Sequence, residues 1–432
     1  MNILLAFLAF NLIVFIHELG HFIFAKAFKI KVLEFSMFVG PKLYSWQRGE
    51  TTYSIRLIPI MAYVKMEGED EASDNKDAYC KKPVHARAWT CFGGPFANLL
   101  LAAILLTVYF AIQGYTTTKI SNVNPDSSAS AAGLKSGDVI LEYQDKKVYQ
   151  DMDIIQFVYV SKGAESSMVV LRDGKKIDTS ITPLVIPAGS SYKLGATFSS
   201  ETGADSNVVQ AVSEGYPAKI AGIMPGDKVV SIDGTKVETL KDIRTLLDAS
   251  GGKEIKLGIE RKGSTTYVNL TPKEEKTREQ YYLGFELTYE KGSIPHAFSH
   301  SLSYTWSIIR STGYSLVWLF TGQVPVNQMM GPIGMVSTIG DVVQQAQSVA
   351  DKFLYLAQVT AFLSIAVGAT NLIPFPALDG SKLLLLGIEA IRRKPIPVEK
   401  EAIITMVGFV VLILFAIYAA YNDIVRLITG MG

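Results

Sequence analysis

The chain has 432 residues, of which 49% are hydrophobic and only 19% are charged, a low charged share for a soluble protein of this length. Its formal net charge is +1, so the charge balance gives no indication of a nucleic-acid partner. Two cysteines, Cys80 and Cys91, are too few for a disulfide framework. The composition therefore favours a membrane protein, and the length leaves room for two to four domains.

The first apolar segment, 2–25, is long enough to cross a bilayer, which takes roughly 20 residues. It contains His17, Glu18 and His21, and two histidines four residues apart lie on one face of a helix, where they can share a metal ion. Neutral imidazole suits Zn²⁺, and a neighbouring carboxylate can act as a general base. Ionisable side chains in a span are costly and indicate a functional site. We therefore predict two zinc ligands, His17 and His21, and a catalytic base, Glu18.

The region between the first two spans reads as a small sheet. Three lysines within 26–31 predict that this end of the first span lies in the cytoplasm. Alternating apolar and polar residues predict strands at 32–36, 52–59 and 61–66. An edge of this sheet near the metal can pair with an extended peptide, or the sheet can be purely structural. The sequence leaves both readings open.

A second span is predicted at 88–113. Its start, Phe92-Gly93-Gly94-Pro95-Phe96-Ala97-Asn98, contains small residues that allow close helix packing. Asn98 is a polar group that needs a partner at this depth. It either joins two helices by a hydrogen bond or lies near the metal or the substrate.

Residues 115–292 contain an internal repeat and no spanning segment. Four anchors recur at one constant offset of 89 residues: Gly133–Ile140 with Gly222–Val229, Val148 with Val237, Arg172–Gly174 with Arg261–Gly263, and Leu194-Gly195 with Leu283-Gly284. A constant offset predicts two copies of one fold. Because the second span runs outward, we expect both copies outside the cytoplasm.

Residues 297–322 are apolar, but Arg310 lies at their centre. We interpret 293–352 as an amphipathic linker on the membrane surface that leads to a turn at Gly331–Gly334. This placement also keeps the basic residues 392–394 on the cytoplasmic side.

The third span, 353–388, is interrupted by Asn371–Gly380, which contains two prolines. Irregular backbone at membrane depth is tolerated only where it is buried in protein or lines a wet cavity. Asp379 supplies a carboxylate there and completes a set of three ligands with a fourth position open, the pattern of catalytic zinc. A last span is predicted at 401–428.

The rival histidine pair, His296 and His300, has no adjacent carboxylate, and we do not expect it to bind metal.

Three motifs in this order resemble the site-2 protease family of intramembrane zinc metalloproteases: His17–His21, Gly94–Asn98 and Asn371–Gly380. Two extracytoplasmic PDZ-like repeats between the second and third spans resemble its RseP-type branch, the regulator of sigma-E proteases. The resemblance implies that His17, His21 and Asp379 bind zinc and that Glu18 is the base. One departure is that Ser381 and Lys382 follow Gly380, where the family often has a second glycine and then histidine or arginine.

The resemblance also implies that 52–66 forms a membrane-reentrant hairpin that presents the substrate as an added strand. The expected substrate-binding residues are Tyr63, Val64, Lys65 and Met66 in this hairpin, together with Asn98 and Asn371.

The predicted fold class is a polytopic α-helical membrane protein with four transmembrane helices, a membrane-associated β-hairpin and two inserted α+β PDZ-like domains. The expected parts are a first half of the membrane core (1–114), a first PDZ-like domain (115–205), a second PDZ-like domain (206–292), the linker (293–352) and a second half of the core (353–432).

The expected function is hydrolysis of a peptide bond in the transmembrane segment of a single-pass protein whose outer domain has already been trimmed. An anti-sigma factor or a remnant signal peptide is the expected substrate, in a bacterial inner (plasma) membrane, with the active site near the cytoplasmic side. Two alternatives stay open: a peptidase acting on soluble peptides, and a membrane-anchored PDZ scaffold without proteolytic activity. An intact Glu18 disfavours the scaffold, because a structural zinc site has no use for a base.

Overall fold

The computed structural model describes all residues except 1, 70, 199–205, 214, 278, 325–347 and 430–432. The turn expected at Gly331–Gly334 lies outside the described residues. The helices of the described part are α1 (Asn2–Ala27), α2 (Val84–Gln113), α3 (Ser128–Ala131), α4 (Asp151–Ser161), α5 (Pro217–Ile220), α6 (Leu240–Ser250), α7 (Ile294–Phe320), α8 (Val349–Asn371), α9 (Asp379–Arg392) and α10 (Val398–Thr429).

The strands are β1 (Val32–Arg48), β2 (Thr51–Met66), β3 (Tyr115–Val123), β4 (Val139–Tyr143), β5 (Lys146–Lys147), β6 (Ser166–Arg172), β7 (Lys175–Ile181), β8 (Leu184–Ile186), β9 (Gly189–Lys193), β10 (Ala196–Phe198), β11 (Val209–Val212), β12 (Lys228–Ile232), β13 (Thr235–Lys236), β14 (Ile255–Arg261), β15 (Ser264–Leu270), β16 (Lys273–Thr277), β17 (Gln280–Tyr282) and β18 (Phe285–Glu290).

Four of the described helices are long and apolar enough to cross a membrane, at 7–27, 84–113, 349–371 and 400–425. This confirms the expected number of spans. The third predicted span is divided into α8 and α9, and the break between them coincides with the proline-rich motif. The helix α7 is not among the four candidates.

Helices α1 and α2 touch backbone to backbone at a pair of glycines. A Cβ added to Gly93 would lie 2.7 Å from the carbonyl oxygen of Gly20, and a Cβ added to Gly20 would overlap the carbonyl of Gly93. Only glycine at both positions permits this approach. The contact brings the histidine motif of α1 directly against the Gly-Gly-Pro segment of α2.

The strands β1 and β2 form one antiparallel hairpin that folds back on itself. Residues 32–37 pair with 62–66, residues 34–37 also pair with 52–55, and 51–56 pair in turn with 42–48. Four segments therefore lie side by side, and 62–66 is an edge; we call it the edge strand. The hairpin is longer than predicted. Residues 41–48 are exposed and include Pro41, which is tolerated in an edge segment, so this part of the sequence lacks the alternating pattern from which a strand is predicted.

Both copies of the predicted repeat have the same order of elements at the predicted offset. In the first copy α3, β4, α4, β6 and β7 correspond to α5, β12, α6, β14 and β15 in the second. The aspartate of each Gly-Asp turn accepts a bidentate hydrogen bond from the equivalent arginine, Asp138 from Arg172 and Asp227 from Arg261, with all four distances at 2.7 Å.

The limits of the copies differ from those expected. The strand β18 pairs with β3 of the first copy, whereas β10 pairs with β11 of the second. The compact units accordingly divide at Pro183/Leu184 and at Tyr282/Leu283 rather than after 205 and 292. The first repeat thus comprises β3–β7 and β18, and the second repeat lies within 184–282. The constant offset does not show which copy each strand joins. The strands that follow the two Leu-Gly anchors, β10 and β18, occupy equivalent positions in the repeat, so the offset is the same whichever copy each strand pairs with.

The helix α7 is fastened to the first repeat and to α2. Arg310 pairs with the fully buried Asp153 at 2.8 Å and donates to the carbonyl of Lys147 at 2.6 Å, while Ser301 is hydrogen-bonded to Thr107 of α2 at 3.0 Å. Arg310 therefore has a protein partner, which the sequence analysis did not foresee. The membrane-surface position of this segment stays a prediction.

The Asp138–Arg172 pair yields a prediction about stability. The guanidinium of Arg172 holds the pKa of Asp138 below its usual range, so the carboxylate stabilises the fold at pH 7, and this contribution is lost as the pH falls below about 4. Asp138→Asn is expected to destabilise the first repeat by about 1.5–3 kcal/mol at pH 7, the range for a hydrogen bond to a charged group.

Hydrogen exchange of the purified protein measures this effect repeat by repeat. The loss of protection should be confined to the first repeat, and Asp227→Asn should give the mirror-image result in the second. A difference between wild type and Asp138→Asn that stayed unchanged as the pH fell from 7 to 2.5 would contradict the assignment, because the contribution of the carboxylate declines once the pH falls below the unfolded-state pKa of ~3.9.

Candidate metal centre

Three side chains from two distant parts of the sequence converge beside the α1–α2 contact. Nε2 of His17 lies 3.1 Å from Oδ2 of Asp379, Nε2 of His21 lies 3.4 Å from the same oxygen, and the two Nε2 atoms are 3.2 Å apart. Among the described residues, these three are the one group of at least three histidine, cysteine or acidic side chains arranged to hold a metal ion. Asp379 is the first residue of α9 and reaches this position because the break after α8 turns the chain.

The spacing of these donor atoms fits a tetrahedral zinc site. Ligand bonds of about 2.0–2.1 Å place neighbouring ligands of a tetrahedron about 3.3 Å apart, close to all three observed distances. Oδ2 of Asp379 is buried and has no hydrogen-bond partner in the described part of the chain. Three atoms with lone pairs therefore face one another, and one of them is a buried oxygen without a partner. A bound cation would accept all three lone pairs and satisfy that oxygen.

The outer nitrogens of both imidazoles are held by α2. Nδ1 of His21 donates to the carbonyl oxygen of Thr90 at 2.8 Å, which leaves Nε2 free as a ligand. Nδ1 of His17 lies 3.2 Å from the side-chain amide of the fully buried Asn98, whose Oδ1 lacks a partner among the described residues. A half-turn of the amide places Oδ1 on the Nδ1–H of His17 and satisfies both groups.

Gly94 provides the space in which the two rings meet. A Cβ added at Gly94 would overlap Nε2 of His21 and would lie 2.8 Å from Nε2 of His17. From the sequence, Gly94 is predicted only to allow close helix packing, and its place beside the histidines is a finding of the structure. In the sequence, the only sign of this role is that Gly94 belongs to a pair of adjacent glycines, Gly93-Gly94, at the start of the second span.

Glu18 faces the edge strand. Its Oε2 accepts a hydrogen bond of 3.0 Å from the backbone N–H of Val64. The carboxylate is therefore oriented between the metal ligands on α1 and the strand predicted to bind substrate. The sequence placed these two features in the same region but gave no sign of the contact itself, because any residue at 64 except proline supplies the same N–H.

The other predicted substrate residues have different surroundings. Tyr63 and Lys65 lie on the edge strand, partly or fully exposed, but the side chain of Met66 is buried in the core. Asn371 ends α8 and donates to the carbonyl of Val367 at 3.0 Å, so its amide bonds within its own helix. In the rival pair, the ring of His300 stacks on the ring of Tyr115 with the centroids 4.1 Å apart, and the expectation that this pair does not bind metal stays a prediction.

Asn98→Ala is expected to lower zinc affinity by about 10- to 100-fold, because the partner that orients His17 is lost. The measurement is competition with a chelator of known affinity. Asn11→Ala serves as the control, because in the described part of the chain its amide donates to the carbonyl of Phe7 in its own helix. If Asn98→Ala bound zinc as tightly as wild type, Asn98 would have no orienting role.

The model of peptidase family M50 matches residues 5–415 of the chain. The chain belongs to peptidase family M50. A zinc metalloprotease RasP of Shouchella clausii is 30% identical over 456 residues, covering 99% of this chain and 100% of the relative. A zinc metalloprotease RasP of Geobacillus kaustophilus is 29% identical, and the match covers 96% of this chain and 96% of the relative. The regulator of sigma-W protease RasP of Bacillus subtilis is 28% identical, and the match covers 99% of both chains.

Membership in family M50 confirms the resemblance to the site-2 proteases and the expectation of a peptidase. The match extends over both halves of the membrane core, so it includes the histidine motif and Asp379 alike. The names of the relatives agree with the expected cofactor, Zn²⁺. Four apolar helices and this family together make the chain an integral membrane protein.

Proposed function

We propose that this M50 peptidase is an intramembrane zinc metalloprotease that hydrolyses a peptide bond in the transmembrane segment of single-pass membrane proteins. The observation that carries the proposal is the convergence of His17, His21 and Asp379, with Glu18 beside them, among helices able to span a membrane. A site with three protein ligands and a carboxylate base is built for hydrolysis rather than for structural metal binding.

His17, His21 and Asp379 would hold the zinc ion through Nε2, Nε2 and Oδ2. When bound, zinc lowers the pKa of water and polarises a carbonyl group. Glu18 accepts the proton of the attacking water and passes it to the leaving amide nitrogen. The hydrogen bond from Val64 orients this carboxylate, and Thr90 and Asn98 keep the imidazoles aligned.

The edge strand offers the site that an unwound substrate requires. A peptide bond within a helix is shielded by its own hydrogen bonds, so the substrate must become extended before water can attack. Among the described residues, 62–66 pair with another strand on one side only, and an extended peptide can add to the other side by main-chain hydrogen bonds. Because Val64 in this strand contacts Glu18, the added peptide would lie next to the base.

We propose that both repeats are PDZ-like domains outside the cytoplasm and that the metal centre lies near the cytoplasmic side of a bacterial inner membrane. The basic residues after α1 and near 392–394 support this orientation. The substrate is an anti-sigma factor or a remnant signal peptide whose outer domain has been trimmed. The name of the Bacillus subtilis relative, a regulator of sigma-W protease, supports the former.

A groove in the second repeat favours peptide binding over a purely steric filter. Its volume is about 720 Å³, and it lies between β10 and α6, lined by residues that include Gly195, Ile243, Arg244 and Leu247. A short strand beside a helix is the arrangement in which PDZ-like domains bind an extended C-terminus. We therefore propose that this groove binds the new C-terminus of a trimmed substrate.

The test uses three substrates with the full-length protein in lipid vesicles: a single-span reporter with a trimmed outer domain, the same reporter untrimmed, and a soluble peptide with the sequence of the span's cytoplasmic flank. The proposal expects rapid cleavage of the first, slow cleavage of the second and none of the third. Cleavage of the soluble peptide alone would favour the soluble-peptide peptidase. If no substrate were cut and the protein held no zinc, the scaffold reading would replace the proposal.

A further inference from the structure

Lys382 lies one helical turn after Asp379 and forms an ion pair with Glu69. Its Nζ lies 2.7 Å from Oε1 of Glu69, and only 24% and 17% of the two side chains are exposed. Residues three positions apart share one side of a helix, so Lys382 and Asp379 project from α9 in similar directions. The ion pair therefore holds the first turn of α9, the turn that carries the proposed metal ligand.

Glu69 belongs to the turn that directly follows the edge strand. The same turn is held on its other side by Glu67, whose carboxylate pairs with Lys31 at 2.7 Å and whose N–H donates to the carbonyl of Lys31 at 3.0 Å. Lys31 lies just beyond α1, the helix of the two histidines. Two lysine–glutamate pairs on alternate residues thus fasten the end of the edge strand, one toward α1 and one toward α9.

The core beneath this turn joins the same three elements. Met66 is buried in one cluster with Ala25 of α1 and Leu386 of α9. Farther along α9, Arg87 of α2 pairs with Glu389, so the end of the helix has its own fixed contact. Lys382–Glu69 is an ion pair that joins α9 to the chain leaving the edge strand.

We propose that Lys382, through Glu69, is a positioning residue that keeps Asp379 in register with the strand that contacts Glu18 and binds substrate. Glu69 is five residues beyond Val64, and a strand rises about 3.3 Å per residue, so a shift of the edge strand by one residue would move the contact at Val64 by about 3.3 Å along the strand. This inference rests on the proposed function, because it takes Asp379 as a ligand and 62–66 as the substrate strand. It also gives a role to the basic residue that follows the Asp379 motif.

The test compares variants of the full-length protein by zinc affinity, measured by chelator competition without substrate, and by kcat and KM for the trimmed reporter. Lys382→Met and Glu69→Gln are each expected to lower zinc affinity about tenfold and to raise KM severalfold. Lys382→Arg should have a zinc affinity and a KM near those of the wild type. The double variant Lys382→Met with Glu69→Gln should lose no more zinc affinity than either single variant. Exchange of the charges, Lys382→Glu with Glu69→Lys, should recover part of both losses. Arg392→Met removes an exposed positive charge from the same helix and should change neither quantity.

Equal behaviour of Lys382→Met and Arg392→Met would overturn the inference, and so would additive effects of Lys382→Met and Glu69→Gln. If Lys382→Met does not fold, Glu69→Gln, which hardly changes the side-chain volume, decides the question in the same way. Asp379→Asn separates this inference from the proposed function. Unchanged zinc affinity in Asp379→Asn would refute the proposed ligand set, whereas lost affinity there with unaffected Lys382 and Glu69 variants would refute the positioning role alone.

Discussion

Glu18→Gln is expected to abolish cleavage of a membrane-spanning reporter while the protein still binds zinc. Glutamine cannot take up the proton of the attacking water, and a general base contributes about 10²- to 10⁴-fold to a rate. Its amide oxygen can still accept the hydrogen bond from Val64, so the edge strand should keep its place. Cleavage rate and zinc content are measured on the same preparation.

Glu50→Gln is the matched control for this substitution. Glu50 is an exposed carboxylate that pairs with Lys26 at the end of α1, away from the three proposed ligands. Its loss should leave cleavage at the wild-type rate. If Glu18→Gln cleaved the reporter as fast as this control, Glu18 would not be the base.

Gly94→Ala is expected to remove both zinc and activity. The new methyl group would occupy the place of Nε2 of His21 and press on that of His17, so the two imidazoles could no longer point at one ion. We expect zinc affinity to fall by more than about 100-fold, beyond the usual effect of an outer-shell substitution. Zinc content after dialysis against a buffered zinc solution gives the answer directly.

Gly387→Ala controls for the general effect of replacing a helical glycine. A Cβ at Gly387 would lie more than 4 Å from the other described residues outside the backbone of its own helix, and alanine favours a helix over glycine by up to about 1 kcal/mol. This variant should keep zinc and activity with equal or higher stability. Full zinc occupancy in Gly94→Ala would show that the rings do not need the space at Gly94.

The main parts of the site could be predicted because side-chain identity carries the information. His17 and His21 have the spacing of one helical face, and an acidic residue in a proline-broken span is costly unless it has a partner. The structure brings both histidines together with Asp379, as the sequence analysis expected. The spans and the repeat were likewise visible, since hydropathy and a constant offset are properties of the sequence itself.

Backbone contacts and pairing partners could not be predicted in this way. The N–H of Val64 and the carbonyl of Thr90 are present at almost any residue, so no residue type marks their contacts with Glu18 and His21. The pairing of β10 with the second copy and of β18 with the first could not be predicted for a similar reason. Both strands follow a Leu-Gly anchor, and the two anchors are alike in sequence.

The most direct test of the proposed function is to locate the bond that the enzyme cuts. Purified wild-type protein and Glu18→Gln are incubated in lipid vesicles with the trimmed single-span reporter, and both product fragments are weighed by mass spectrometry. The proposed function predicts one cut within the apolar span for the wild type and none for Glu18→Gln. A cut by the wild type confined to a water-exposed flank, or an identical cut by both proteins, would contradict it.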